Sequence, residues 1–125
     1  MTSFKQNFND FAKACHQASY SAGWWHDVDG TPLLGNQYVS ATKLFLIVSE
    51  IVEGMEGHRQ DKMDDKLPHR SMIEVELADA VIRIGDYAEA HGLDVGGAIE
   101  EKMSFNTTRP DHNVVNRRKV GGKKY

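Results

Sequence analysis

Apolar residues recur along this chain at helical spacing, and nowhere do they alternate as they would in a strand. Phe4, Phe8, Phe11, Cys15, Ala18 and Ala22 fall at i, i+4, i+7, i+11, i+14 and i+18, which predicts a first helix over about 3–22. Thr2 or Ser3 caps its start and Gly23 ends it. Residues 23–36 carry Gly23, Gly30, Pro32, Gly35 and Asn36 and read as a loop, which also holds Trp24 and Trp25. A second helix over about 37–57 is apolar nearly all round through Leu44-Phe45-Leu46-Ile47-Val48, a pattern that predicts burial of most of its surface. A polar loop with Pro68 covers 58–70. Ser71-Met72-Ile73-Glu74 then opens a third helix as a capping box. Leu77, Val81, Ile84 and Ala88 give it an apolar stripe, and Gly92 ends it. Asp94 caps a fourth helix over about 95–108, and beyond Pro110 the pattern fades. The expected fold is all-α: four helices around one core, with the second and third central.

Composition narrows the class. At 125 residues the chain suits one small domain, and 40% hydrophobic with 26% charged residues is ordinary for a globular protein. No apolar run approaches the roughly 20 residues of a membrane span, and the first residues lack the apolar stretch of a signal peptide. A single cysteine, Cys15, excludes an internal disulfide framework and a cysteine-based zinc site. Together these predict a cytoplasmic protein. The net charge of −3 conceals a division between an acidic body over 1–108, at −8, and a basic tail over 109–125, at +5. That division sets the expected domain limits, an all-α domain over 1–108 and a basic C-terminal tail over 109–125.

Within the apolar second helix, Glu50 and Glu53 stand three apart and share one face. Glu76 and Asp79 repeat the spacing in the third helix, and Arg83 and Asp86 continue that face. Antiparallel packing of these two helices would let the acid pairs meet. Converging carboxylates raise one another's pKa, and a divalent cation relieves the repulsion. An all-oxygen donor set favours Mg²⁺, with Mn²⁺ as a substitute. In the fourth helix Lys102, Asn106 and Arg109 share a face suited to an anionic substrate such as a polyphosphate.

The order Glu50-x-x-Glu53, 22 intervening residues, Glu76-x-x-Asp79, then Lys102-x-x-x-Asn106-x-x-Arg109 resembles the MazG-like nucleoside triphosphate pyrophosphohydrolases of the all-α NTP pyrophosphatase superfamily. The resemblance runs from about Gly23 to Arg109. Ser49-Glu50-Ile51-Val52-Glu53-Gly54, Glu76-Leu77-Ala78-Asp79-Ala80-Val81-Ile82-Arg83 and the closing Gly121-Gly122-Lys123-Lys124-Tyr125 look closest to small phage-type members. Ser49 stands where the family often has a further acid. The resemblance implies a four-helix MazG-like bundle assembling as a homo-oligomer, with a tetramer favoured and a dimer as the floor. It implies Mg²⁺-dependent cleavage of a nucleoside triphosphate between the α and β phosphates, giving a monophosphate and pyrophosphate. The phage-type relatives point to a deoxynucleotide such as dGTP. Glu50, Glu53, Glu76 and Asp79 are then the catalytic metal ligands. Lys102 and Arg109 bind phosphates and Asn106 sugar or phosphate. One of Trp24 and Trp25, with Trp25 preferred, lines the base pocket, and His58 and Arg59 flank the phosphate path.

Other classes fit less well. A ferritin-like di-metal bundle needs Glu-x-x-His pairs, and no histidine here follows a glutamate at that spacing. An HD-type phosphohydrolase needs a histidine well upstream of His26-Asp27, and only His16 precedes it. An EF-hand over Asp61–Asp65 lacks its glycine. The alternative from another class is a non-enzymatic helical protein that binds nucleic acid or assembles through its basic tail. The acid quartet opposes it by repelling a phosphate backbone, so nucleic acid and membranes are not expected partners.

Overall fold

The computed structural model describes residues 3–125. Among them the chain forms α1 (Phe4–Ser21), α2 (Gln37–Arg59), α3 (Met72–Ala90), α4 (Val95–Thr108), a 3₁₀ turn (Pro110–His112) and a short α5 (Val114–Arg118). The fold is all-α. Its only extended pairings among the described residues are the isolated bridges His26–Pro32 and Met63–Ser71 in the two loops.

The helices start where the sequence supplies an oxygen for the free N–H groups of a first turn. Ser3 Oγ accepts from the Gln6 amide at 3.1 Å, while Thr2 lies outside the described residues. Asn36 Oδ1 accepts from the amides of Tyr38 and Val39. Ser71 Oγ accepts from the Glu74 amide and donates to the Glu74 carboxylate at 2.8 Å. Asp94 Oδ1 accepts from the Gly97 amide at 3.0 Å. Gly92, just past α3, has φ +65°, the left-handed conformation its position after a helix predicts.

Helix α2 packs on α3, α3 on α1 and α1 on α4. This corrects the expectation that the second and third helices are central: α3 and α1 occupy the middle, and α2 lies at an edge. The cause lies in glycines within the helices. A Cβ on Gly85 of α3 would stand 3.3 Å from the Ala12 Cα, so α1 and α3 approach backbone to backbone there. Gly57 of α2 leaves no room for a side chain against Met72, the first residue of α3. Gly96 at the start of α4 is closed by the Lys5 carbonyl and Asn9 of α1. With Gly57 facing Met72 and Gly54 facing Glu76, α2 and α3 run antiparallel.

The interior of one chain is small. Among the described residues the buried apolar ones are Ala12, Cys15, Trp25, Ala80 and Ala88. Around α2, Phe45 is 75% exposed, and Leu44, Val48, Ile51, Val52 and Met55 are also exposed. The expected burial of most of α2 is therefore not met within a single chain. The chain presents 9396 Å² to solvent, where a folded monomer of 14.0 kDa exposes about 6,700 Å². No described helix is long and apolar enough to cross a membrane.

The end of the chain is more ordered than its fading pattern predicts. Asn113 caps α5, and Gly121, at φ +77°, turns the chain back. Arg117 Nε and Nη2 then donate to the carbonyls of Lys123 and Lys124 at 3.1 and 2.7 Å.

Candidate functional site

The acids of α2 and α3 meet as antiparallel packing requires. One carboxylate oxygen from each of Glu50, Glu76 and Asp79 lies within 4.8 Å of the others. Glu50 is buried, at 8% exposure, in the face of α2 that meets α3. Glu53, one turn along α2, is exposed and stands outside this triad, yet it is close enough to Glu76 to raise its pKa.

The electrostatics separate the three acids. Burial pushes Glu50 up, but hydrogen bonding with Arg83 and Glu76 outweighs it, and the carboxyl lies below its usual range. Arg83 Nε donates to Glu50 Oε1 at 2.7 Å. Glu76 is pushed up to about 7, by burial first and then by Glu50 and Glu53 beside it. Asp79 is raised by burial and by the Glu50 charge. One arginine thus holds Glu50 ionised, and the Glu50 charge, together with burial, pushes both Glu76 and Asp79 toward protonation. A divalent cation relieves such crowding, and the oxygen donors suit a hard ion.

Beside the triad, between α1, α2 and α3, opens a cleft of about 630 Å³, within the usual range for small-molecule sites. Glu50 and Asp79 line one end. Ala18, Ala22, Leu46 and Ile82 supply apolar wall, and Arg83, Asp86, Lys43 and Trp24 supply polar and aromatic lining. Lys43 Nζ donates to the Trp24 carbonyl at 3.1 Å and lies 4.1 Å from the centre of the Trp25 ring. Burial lowers its pKa. Asp86 Oδ1 accepts from Trp25 Nε1 and from His16 Nδ1, each at 2.8 Å.

The remaining expected site residues lie elsewhere. Trp25 is buried, at 3% exposure, and supports Asp86, while the exposed Trp24 is the indole on the cleft. Arg59 Nη1 is spent on Glu56 at 2.7 Å, and His58 is exposed. Lys102, Asn106 and Arg109 do not line the cleft, because α4 packs on α1 while the acids lie between α2 and α3. Lys102 Nζ lies 5.1 Å from the centre of the Phe105 ring. Arg109 pairs with Asp111, and Asn106 Oδ1 is buried without a partner among the described residues. The cations that do reach the cleft are Arg83, which continues the acid face of α3, and Lys43. Sequence reasoning passed over Lys43, although it precedes Glu50 by seven residues and so shares its face of α2. It also passed over Asp64, a buried loop acid whose Oδ2 accepts from the Leu67 amide at 2.7 Å and whose charge adds to the raised pKa of Asp79. Compared with protein-family models, curated proteins and solved structures, the chain matches none.

Proposed function

We propose that this protein is a Mg²⁺-dependent nucleoside triphosphate pyrophosphohydrolase, in keeping with the resemblance of its acid motifs to the MazG-like enzymes. Its substrate is a deoxynucleotide such as dGTP, cleaved between the α and β phosphates. The observation that carries this reading is the convergence of Glu50, Glu76 and Asp79 within 4.8 Å at one end of a nucleotide-sized cleft. Glu50, Glu76 and Asp79 would hold the ion, Mn²⁺ being an acceptable substitute, with Glu53 next to them. The bound cation supplies neutralising charge for the phosphates and a water of lowered pKa. Arg83 and Lys43 supply further positive charge along the same cleft, where phosphoryl transfer needs positioning and charge stabilisation more than a protein nucleophile. A panel of nucleoside triphosphates, with Mg²⁺ and with excess chelator, tests the reading. Pyrophosphate release that stops on chelation is expected, and turnover of no nucleotide overturns it.

The same proposal includes self-association into a MazG-like bundle. The chain exposes about 2,700 Å² more than a monomer of its mass should, and much of its apolar exposure lies on α2, α3 and α4. An excess of that size matches the large, apolar interfaces of obligate oligomers, and the resemblance to the MazG-like enzymes makes a homotetramer the favoured assembly, with a dimer as the floor. Assembly would also offer a route for the cationic face of α4 to approach an acid site it does not reach within its own chain.

A further inference from the structure

Asp86 stands seven residues beyond Asp79 on α3, two turns and about 10.5 Å along the axis, so it lines the cleft away from the acid triad. Its side chain is 13% exposed, and its two oxygens differ. Oδ1 is filled by Trp25 Nε1 and His16 Nδ1. Oδ2 has no hydrogen-bond partner among the described residues, and it is not among their fully buried unpaired atoms. The two donors fix the carboxylate's orientation, and Trp25 is itself buried and packed edge-on against His16 at 5.4 Å. A pre-oriented carboxylate oxygen without a donor of its own, on a side chain largely removed from water, calls for N–H donors on whatever fills the cleft. Beside it, Lys43 feels the Asp86 charge and offers an ammonium.

We propose that Asp86 is the base-reading residue of this cleft and that the base it reads is guanine. The inference rests on the nucleotide reading above and deepens it. Guanine alone among the common bases sets two N–H donors, N1–H and N2–H₂, next to each other and beside an acceptor, O6. Asp86 Oδ2 takes the two donors and Lys43 faces the acceptor. Uracil and thymine place their single ring N–H between two carbonyl oxygens, which a carboxylate repels. Adenine and cytosine offer one amino group next to a bare ring nitrogen. A site that buries a polar group for such a contact discriminates strongly against ligands that leave it unpaired.

Calorimetric titration of the full-length protein with dGMP, dIMP, dAMP, dCMP and dTMP in Mg²⁺ tests this. The dIMP arm deletes the N2 amino group without touching the protein. The expected result is that dGMP binds tightest and dIMP about tenfold weaker, as for one lost charge-assisted hydrogen bond. Asp86→Asn, checked for an unchanged helical spectrum, should lower dGMP affinity at least about tenfold and erase the difference between dGMP and dIMP. Equal binding of dGMP and dIMP, preference for another base, absence of binding, or a dGMP preference that survives Asp86→Asn each overturns the proposal. Guanine-selective binding without cleavage of any triphosphate would remove the pyrophosphohydrolase reading and leave the guanine slot standing. Cleavage without base preference would do the reverse.

Discussion

At the scale of single residues, the decisive contrast is between Glu50 and Glu76. Glu50 is held ionised by Arg83 at 2.7 Å, whereas burial and two neighbouring acids push Glu76 up to about 7. A carboxyl whose folded pKa exceeds its unfolded value of 4.5 stabilises the fold while protonated. That contribution is present at low pH and is lost as pH rises from about 4.5 toward 7. In chelator, the thermal midpoint is therefore expected to fall across this window, and Glu76→Gln should flatten the fall. Thermal unfolding followed by circular dichroism at a series of pH values checks both. Glu50→Gln should weaken Mg²⁺ binding at least about tenfold in a calorimetric titration, because it removes a donor and unpairs Arg83. Glu50, Glu76, Asp79 and Arg83 were legible because charge in an apolar helix at i, i+3 spacing demands a reason. His16 was not legible as a support for Asp86, because the contact joins α1 to α3 across 70 positions of sequence. Trp24 and Trp25 are adjacent and chemically identical, and only the path of the loop decides which indole is buried.

At the scale of elements, the helix limits follow the caps closely, since an Asn, Ser or Asp side chain at each start is a local signal. The packing order was less legible, because glycines inside helices read as weak points although they serve here as contact points. Gly57 is the clearest case: a Cβ there would lie 2.7 Å from the Met72 Cβ, an atom fixed to the α3 backbone. Gly57→Ala should therefore force α2 and α3 apart and cost about 1–3 kcal/mol as an overpacked contact, read as a lowered midpoint in denaturant. An unchanged midpoint would mean that α2 shifts freely on α3. Asp94 joins α4 to α1 as both cap and anchor, accepting from Gly97 and Asn9 and pairing with Lys5 at 3.0 Å. The Asn9 and Lys5 hydrogen bonds, with the Gly97 amide, hold its carboxyl down to about 2. A depressed carboxylate stabilises above its unfolded pKa of 3.8 and loses that contribution as pH falls toward about 2. Amide exchange should accordingly show the first turn of α4 losing protection in that acid window, and Asp94→Asn, which has no charge to lose, should lower protection at higher pH and abolish its change across the window.

At the scale of the whole molecule, the basic tail and the bare flank of α2 dominate. The tail is clasped by Arg117 onto its own carbonyls, and Lys123 lies 3.6 Å from Asp111, so part of its charge is already engaged within the segment. The flank of α2 has no such cover. Its uniform apolarity was plain in the sequence, but a burial pattern does not say whether the cover comes from the same chain or another. Light scattering on the unmodified protein is expected to give a multiple of 14.0 kDa, and a clean monomer would contradict the assembly proposed above. Phe45→Asp together with Val48→Asp, both on exposed positions of α2, should break the assembly and lower the thermal midpoint. A chain whose interior is completed by another copy has no fixed melting temperature. Its folding is a reaction of higher order, so every tenfold dilution should weaken a dimer by about 1.4 kcal/mol, and the protein would denature in a dilute tube under conditions that leave a concentrated one intact.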